Sequence, residues 1–185
     1  MYFAFNGQIP IVDDSAYVSE TAQIIGKVKI GRGCYIGHGA IVRGDYGSID
    51  IGPETAIEEG VIIHAPPDKS VIIENRATIG HGAIIHGERI GANAVIGMGA
   101  VLSIYATVGE LTIVGEGSVV TMRQNIPSRV VALGNPAKVV REVRKNDIEF
   151  WARGKQLYID LAQQYREMGM HPVEPIRQTE STAIE

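Results

Sequence analysis

Residues 73–102, IENRATIGHGAIIHGERIGANAVIGMGAVL, carry an aliphatic side chain at every sixth position, with one residue lost before the fourth member of the series. A period of six excludes a long helix, whose apolar period is near 3.6, and it is too long for two-residue alternation. It fits one short strand and one sharp turn per hexad. The series extends in both directions and comprises Val12, Val18, Ile24, Ile30, Ile36, Val42, Ile51, Ile57, Ile63, Ile73, Ile79, Ile85, Ile90, Ile96, Leu102, Val108, Val114, Val120 and Ile126.

The spacing predicts how the hexads assemble. Each aliphatic points inward from its strand, and the small residue that usually follows four positions later fills a corner. Three such sides close a triangular coil of about 18 residues, and coils stack at a strand spacing of ~4.8 Å. We therefore expect residues 1–140 to form an all-β, left-handed parallel β-helix of hexapeptide repeats. The left hand is that known for this repeat type, an exception to the right-handed crossover rule, and does not follow from the spacing.

After Ile126 the hexads stop. Residues 141–169 predict a C-terminal α-helix, with Asn146 as its N-cap, an apolar stripe that packs on the β-helix or on a neighbouring subunit, and Gly169 as its stop. Residues 170–185 have little to bury, and we expect them to be a disordered tail.

Composition limits the class of protein. The 185 residues carry a net charge of -4, without the basic face that nucleic-acid binding requires. No apolar run is long enough to span a membrane. The one cysteine, Cys34, rules out an intrachain disulfide, and the N-terminus lacks the features of a signal peptide. We expect a cytoplasmic protein that binds neither nucleic acid nor membrane.

Two histidines occupy equivalent places in the repeat. His64 and His86 each follow an inward aliphatic, three hexads apart, so they point outward and stack on the same face. Two imidazole nitrogens on one tetrahedral metal ion lie roughly 3.3 Å apart, a separation that stacked rings reach by small tilts. Arg43 belongs to the same column, one coil earlier.

His81 lies on a different side of the triangle, two positions after Ile79 and near a corner, in the column of Glu59. Reaching the other two histidines within one chain means crossing that corner. A neighbouring subunit that presents its own His81 is the simpler solution. The pattern predicts a homotrimer with metal sites at its seams, formed by His64, His81 and His86. Among the helix aromatics, only Tyr158 is a candidate for this site.

With these residues placed, the chain resembles the γ-class carbonic anhydrase family. The matching segments cover roughly residues 8–165 and include VRGDYGSIDIG (42–52), VIIHAP (61–66), GHGAIIHG (80–87), IGMGAV (96–101) and GNPAKVVRE (134–142). The segment WARGKQLYIDLAQQY (151–165) looks closer to the subgroup that is encoded with phenylacetate and carnitine metabolism genes.

The resemblance implies a γ-carbonic anhydrase-like lyase that hydrates CO₂ reversibly to bicarbonate with a metal-bound hydroxide. The metal would be Zn²⁺, alternatively Fe²⁺ or Co²⁺. Arg43 and Asp45 would support the interface and the substrate pocket. Glu58 stands where the family commonly has glutamine, and the loop APPDKS (65–70) lacks the acidic extension of fast members. The resemblance therefore implies slow turnover.

Three alternatives remain open from the sequence. The same metal site could serve an acyl-CoA thioesterase. A hexapeptide acyltransferase, which shares endings similar to GNPAK, needs a histidine base beside a coenzyme A groove and no metal. A non-catalytic metal-binding scaffold would fit the replacement of glutamine by Glu58.

Overall fold

The computed structural model describes residues 1–173 and residue 175. The expected disordered tail therefore lies largely outside the described residues. The elements are β1 (Tyr2–Phe3), β2 (Ile11–Val12), β3 (Tyr17–Val18), β4 (Gln23–Ile30), β5 (Tyr35–Ile36), β6 (Ile41–Ile51), β7 (Ala56–Ile57), β8 (Ile62–His64), β9 (Ser70–Ile73), β10 (Thr78–Ile79), β11 (Ile84–Ile85), β12 (Arg89–Ile90), β13 (Val95–Ile96), β14 (Val101–Leu102), β15 (Thr107–Val108), β16 (Ile113–Val114), β17 (Val119–Val120), β18 (Asn125–Ile126), β19 (Val130–Leu133), β20 (Lys138–Glu142) and α1 (Lys145–Met168).

These strands form the three faces of a triangular solenoid. The first face is an eight-stranded sheet in the order β20-β19-β16-β13-β10-β7-β5-β3. The second face contains β17, β14, β11, β8 and the start of β6, and the third contains β9, β12, β15 and β18. The long strands β4 and β6 run round the corner between the second and third faces, so these two faces form one twelve-stranded sheet. The chain is a left-handed parallel β-helix with one C-terminal helix, and the hexad period predicts the parallel triangular coil but not its hand.

The register follows the hexads residue by residue. Ile63 pairs with Ile85, and Ile79 pairs with Ile96, in parallel ladders. Each of these four side chains is at most 1% exposed. Aliphatic side chains stack inward from coil to coil, so one continuous hydrophobic core runs along the solenoid. Cys34 is buried in this core.

Close stacking of coils depends on glycines beside the strands. A Cβ added to Gly91 would lie 2.4 Å from the amide nitrogen of Glu110 on the next coil. Gly117 has a different role, because it turns a corner with a φ of +63° and has no atom within 4 Å of its Cβ position. Left-handed backbone of this kind costs a residue with a Cβ about 1 kcal/mol.

The last coil is closed by β20, which pairs antiparallel with β19. The helix then begins at Lys145 with Arg144 as its N-cap, so the predicted cap at Asn146 is wrong by two residues. Asp147 explains the start, because its carboxylate accepts a 2.8 Å hydrogen bond from the Arg144 amide and pairs with Arg141 at 2.6 Å. The Arg141 hydrogen bond, followed by that amide, lowers the pKa of Asp147 to about 2. The helix ends before Gly169, as predicted.

Helix α1 lies along the first face of its own solenoid. Tyr158 and Tyr165 pack on Tyr35 and Tyr17, and the Tyr17 and Tyr165 rings stack with centroids 4.6 Å apart. Lys155 is 4% exposed between helix and solenoid, where its Nζ donates to Thr78 Oγ1 and to a backbone carbonyl. In the part of the chain that is described, no helix is long and apolar enough to cross a membrane.

Candidate active site

The second face carries a column of three polar side chains, Arg43, His64 and His86, which we call the histidine column. Arg43 pairs directly with His64 in the β6–β8 ladder. One coil further on, the His86 ring stacks on the His64 ring with centroids 4.9 Å apart and planes 22° from parallel. The hexad count therefore places these three residues correctly. They share a face because each follows an inward residue of the same strand column.

Asp45 contacts two members of this column, Arg43 and His64. Its Oδ2 accepts a 2.7 Å hydrogen bond from Arg43, and its Oδ1 lies 3.1 Å from His64 Nε2. Burial raises the pKa of the Asp45 carboxyl, but the hydrogen bond and charge of Arg43 outweigh burial and hold the pKa below its usual range. Asp45 is therefore ionised at neutral pH and orients the His64 imidazole.

His86 is the unsatisfied member. Its Nε2 is buried and has no hydrogen-bond partner among residues 1–173 and 175. Burial, and then the nearby charges of His64 and Arg43, lower the pKa of His86, so the ring is neutral at physiological pH. A buried polar atom without a partner is costly, which indicates that something outside one chain meets this nitrogen.

His81 lies at the corner that separates the first and second faces, one coil beyond Glu59. Glu59 Oε2 is 2.8 Å from His81 Nδ1. The other Glu59 oxygen accepts a 2.6 Å hydrogen bond from the Tyr35 hydroxyl. Burial raises the pKa of Glu59, but the Tyr35 hydrogen bond and nearby histidines lower it further, so the carboxyl is ionised. A carboxylate on Nδ1 fixes the orientation of the ring and its tautomer.

Glu58 and Tyr158 border the opposite nitrogen of the same ring. Glu58 Oε2 lies 3.1 Å from His81 Nε2, and the Tyr158 hydroxyl lies 3.5 Å from it. Glu58 is 5% exposed and also accepts a 3.0 Å hydrogen bond from the His81 amide. Burial raises the pKa of Glu58 above its usual range, and burial and the Glu58 carboxyl also raise the pKa of Tyr158. We call this group, with Glu59, the His81 corner.

The histidine column and the His81 corner do not meet within one chain. Within the described residues, no group of three or more His, Cys, Asp or Glu side chains could hold a metal ion. His64 and the neutral, unpartnered His86 suit a divalent metal, but a catalytic metal site needs three protein ligands. A metal shared with His81 of a neighbouring subunit therefore stays a prediction.

Two groups were missed from the sequence. Glu59 was seen only as the column neighbour of His81, although that placement was itself the signal for the contact. Lys155 gave no signal, because a lysine on a helix is usually solvated. Burial lowers the pKa of Lys155 to about 7.

A family model described as the hexapeptide repeat of succinyl-transferase matches residues 27–65 and 70–103. The carnitine operon protein CaiE of Escherichia coli K12 is 37% identical over 179 residues, which covers 97% of this chain and 91% of that protein. The chain belongs to the CaiE family of hexapeptide-repeat proteins. The predicted relationship to a subgroup linked with carnitine metabolism is confirmed.

Several solved structures that are similar to this chain are described as transferases. A hexapeptide transferase family protein from Anaplasma phagocytophilum is 31% identical with a TM-score of 0.85, covering 89% of this chain and 98% of that one. A candidate acetyltransferase from Bacillus cereus is 30% identical with a TM-score of 0.89, covering 91% and 98%. The perosamine N-acetyltransferase of Caulobacter crescentus, in complex with CoA and GDP-perosamine, is 25% identical with a TM-score of 0.53, covering 73% and 58%.

These similarities correct the predicted activity. The expected carbonic anhydrase-like lyase, with CO₂ and bicarbonate as its substrate and zinc as its defining metal, is wrong, because the similar structures are described as transferases. The physical reason lies in the scaffold. A hexapeptide solenoid brings outward histidines into columns whatever reaction they serve, so the histidine spacing alone does not determine the chemistry.

Proposed function

We propose that this protein is an acyltransferase that uses an acyl-coenzyme A donor, with His81 as its general base. The observation that carries the proposal is the 2.8 Å contact between Glu59 Oε2 and His81 Nδ1. An ionised carboxylate on Nδ1 favours the tautomer whose Nε2 can take a proton from an acceptor, and the acceptor would displace the Glu58 carboxyl that lies 3.1 Å from Nε2. Transferase structures similar to this chain, one of them complexed with CoA, support the choice of donor.

In the proposed reaction His81 first accepts a proton and then returns it. His81 Nε2 accepts the proton of an acceptor hydroxyl or amine as that group attacks the thioester carbonyl. The carbon–sulfur bond then breaks, and the coenzyme A thiolate takes the proton back from the imidazolium. Glu59 stabilises the transient positive charge. The Glu58 carboxyl and the Tyr158 hydroxyl border Nε2, where they are placed to orient the acceptor.

We propose that the working unit is a cytoplasmic homotrimer in which the His81 corner of one subunit faces the histidine column of the next. A stripe of aliphatic side chains runs beside that column on the second face, and Ile62 and Ile84 in it are 40% and 44% exposed. An apolar stripe of this kind is typical of a subunit interface. Its members are Ile41, Ile62, Ile84, Val101 and Val119.

A second candidate is acyl-CoA hydrolysis with a divalent metal shared between subunits. The unpartnered Nε2 of His86 beside the stacked His64 ring favours it. His64 and His86 would hold the metal with His81 of a neighbouring subunit, and the metal would supply Lewis-acid chemistry. In that case His81 is a ligand rather than a base.

The deciding experiment combines thiol release with metal analysis. Purified protein is incubated with acetyl-CoA, with and without a panel of amine and alcohol acceptors, and metal per chain is measured on the same sample. Thiol release that requires an acceptor, persists in chelator and occurs without stoichiometric metal supports the transferase. Acceptor-independent release that tracks one metal per site, and metal loss in His86→Ala, would replace it with the hydrolase.

A further inference from the structure

The corner between the second and third faces carries a group of side chains that the proposed reaction does not use. Lys69 Nζ lies 5.9 Å from the centroid of the Tyr105 ring, and Arg123 Cζ lies 5.8 Å from the same centroid. Each cation gains from the negative face of the ring, by about 0.5–1 kcal/mol at exposed positions. We call these three residues the cationic corner.

The two cations are not neutralised by the protein. Within the described residues, neither Lys69 nor Arg123 forms an ion pair, and both are exposed. Asp68, which precedes Lys69 in the chain, does not pair with either cation. Two like charges beside one ring repel each other, so an arrangement without a counterion suits an anionic ligand.

The cationic corner adjoins the histidine column. The His86 amide donates to the Leu102 carbonyl, and Leu102 pairs with Ile85 from the next coil. Tyr105 follows Leu102 by three residues, so it lies at the corner one coil beyond His86. Arg123 lies one coil further on, because its amide donates to the Ile104 carbonyl at 3.0 Å. One coil separates Lys69 from Tyr105. It contains the hexad that starts at Ile85, which is one residue short. Lys69 therefore reaches Tyr105 across a shortened corner.

A polar cavity connects Lys69 with Asp45, which contacts the histidine column. The cavity has a volume of about 400 Å³, and its lining includes Lys27, Asp45, Ser48, Lys69 and Ser70. Asp45 in turn contacts His64. One end of an extended ligand could thus lie at the cationic corner while the other end reaches the histidine column, which in the proposed trimer faces the His81 corner of a neighbouring subunit.

We propose that Lys69 and Arg123, held in place by Tyr105, bind the phosphate groups at the nucleotide end of an acyl-coenzyme A. This rests on the proposed acyl-CoA function. Coenzyme A carries several negative charges at its nucleotide end and none on its pantetheine arm, so the cationic corner suits the first and the polar cavity suits the second. Arginine is well matched to phosphate because its planar donors can engage two oxygens at once.

The test measures binding, so it does not depend on turnover. Isothermal titration of the full chain uses coenzyme A, pantetheine, 3′,5′-ADP and inorganic phosphate as separate probes. We expect coenzyme A to bind at least about tenfold more tightly than pantetheine, and 3′,5′-ADP to bind more tightly than inorganic phosphate. In Arg123→Gln, and independently in Lys69→Gln, the affinity for coenzyme A and for 3′,5′-ADP should fall about tenfold.

Arg129→Gln is the matched control, since Arg129 is also an exposed arginine at a left-handed corner, with a φ of 62°, but lies over no aromatic ring of the described residues. Equal affinity for coenzyme A and pantetheine, equal affinity for 3′,5′-ADP and inorganic phosphate, or the same loss in Arg129→Gln as in Arg123→Gln would each overturn the nucleotide subsite. Acyl transfer measured on the same samples separates the two ideas. Nucleotide binding without transfer removes the proposed function alone, and transfer without a preference for the nucleotide removes the subsite alone.

Discussion

Glu59 Oε2 lies 2.8 Å from Nδ1 of His81, and the second Glu59 oxygen accepts a hydrogen bond from Tyr35. The imidazole is therefore fixed by a carboxylate that is itself held. In this arrangement Glu59 is a positioning residue, because it acts on the acceptor only through His81.

The first prediction concerns this pair. His81→Ala should lower kcat/KM for acyl transfer by about 10²–10⁴-fold, because it removes the general base. Glu59→Gln should lower kcat by a smaller factor and leave KM for the acyl donor nearly unchanged, because the neutral amide can still accept from Nδ1 but no longer stabilises positive charge on the ring. Steady-state thiol release measures both variants. His171→Ala, which changes an exposed histidine beyond the helix, is the control. Full activity in His81→Ala would contradict the assignment.

The second prediction tests whether sites are shared. If His86 of one subunit and His81 of the next serve the same site, as the metal-dependent alternative requires, His81→Ala and His86→Ala homotrimers are each expected to be inactive. Mixed by unfolding and refolding together, they should regain about a quarter of wild-type activity, since random assembly restores both residues at that share of seams. The same mixture would regain nothing if each subunit held a complete site.

The third prediction concerns the aliphatic stripe on the second face. Ile84→Asp should convert the trimer into monomers, because it places a charge in the centre of an apolar interface. Light scattering coupled to size-exclusion chromatography gives the mass. Ile11→Asp, at a 66% exposed isoleucine on another face, should leave the mass unchanged. A monomeric wild-type protein would refute the trimer outright.

The fourth prediction follows from the buried amine of Lys155. Burial lowers its pKa to about 7, from 10.5 in the unfolded chain. Between these values the unfolded state binds more protons than the folded state, so this residue makes the free energy of unfolding rise with pH. The slope is at most about 1.4 kcal/mol per pH unit. Below about pH 7 the cost of charging the amine is fully present.

Urea unfolding of wild type and Lys155→Met between pH 6 and 10 isolates this contribution as a difference. The difference should favour Lys155→Met most at pH 6 and shrink as pH rises. A difference that is constant with pH would show that the amine stays charged in the folded protein.

The fifth prediction separates two uses of glycine. Gly91→Ala should destabilise the protein by several kcal/mol, because its methyl group would lie 2.4 Å from a backbone nitrogen of the next coil. Gly117→Ala meets no atom and should cost only about 1 kcal/mol, from its left-handed φ. Denaturant midpoints measure both. Similar losses would mean that the coils separate readily.

The sequence was sufficient for everything that the hexad period controls. It predicted the solenoid, the register and the stacking of His86 on His64, because a strict repeat converts chain position into spatial position. It was not sufficient at the corners, where side-chain direction is independent of the period. The contact of Glu59 with His81 and the approach of Lys69 to Tyr105 are both of this kind.

The helix shows a second limit. Its apolar stripe was visible, but the start moved from Asn146 to Arg144, because Asp147 caps the helix from its first turn while holding Arg141. The activity shows a third limit. Motifs such as GHGAIIHG report that outward histidines share a scaffold, and similar scaffolds serve proteins of different activity.

The segment that contains β19 and β20, residues 130–142, has a consequence for the behaviour of the protein at high concentration. A solenoid whose last coil is bare offers unpaired strand edges on which another chain can polymerise. Here β20 pairs with the edge of β19, the Val119 amide donates to Gly134, and the Ala137 amide donates to Val119. The segment that follows the repeat therefore occupies strand edges of the last coil and hinders another chain from adding to them. Deleting it is expected to leave the coils intact while making the protein prone to end-to-end aggregation.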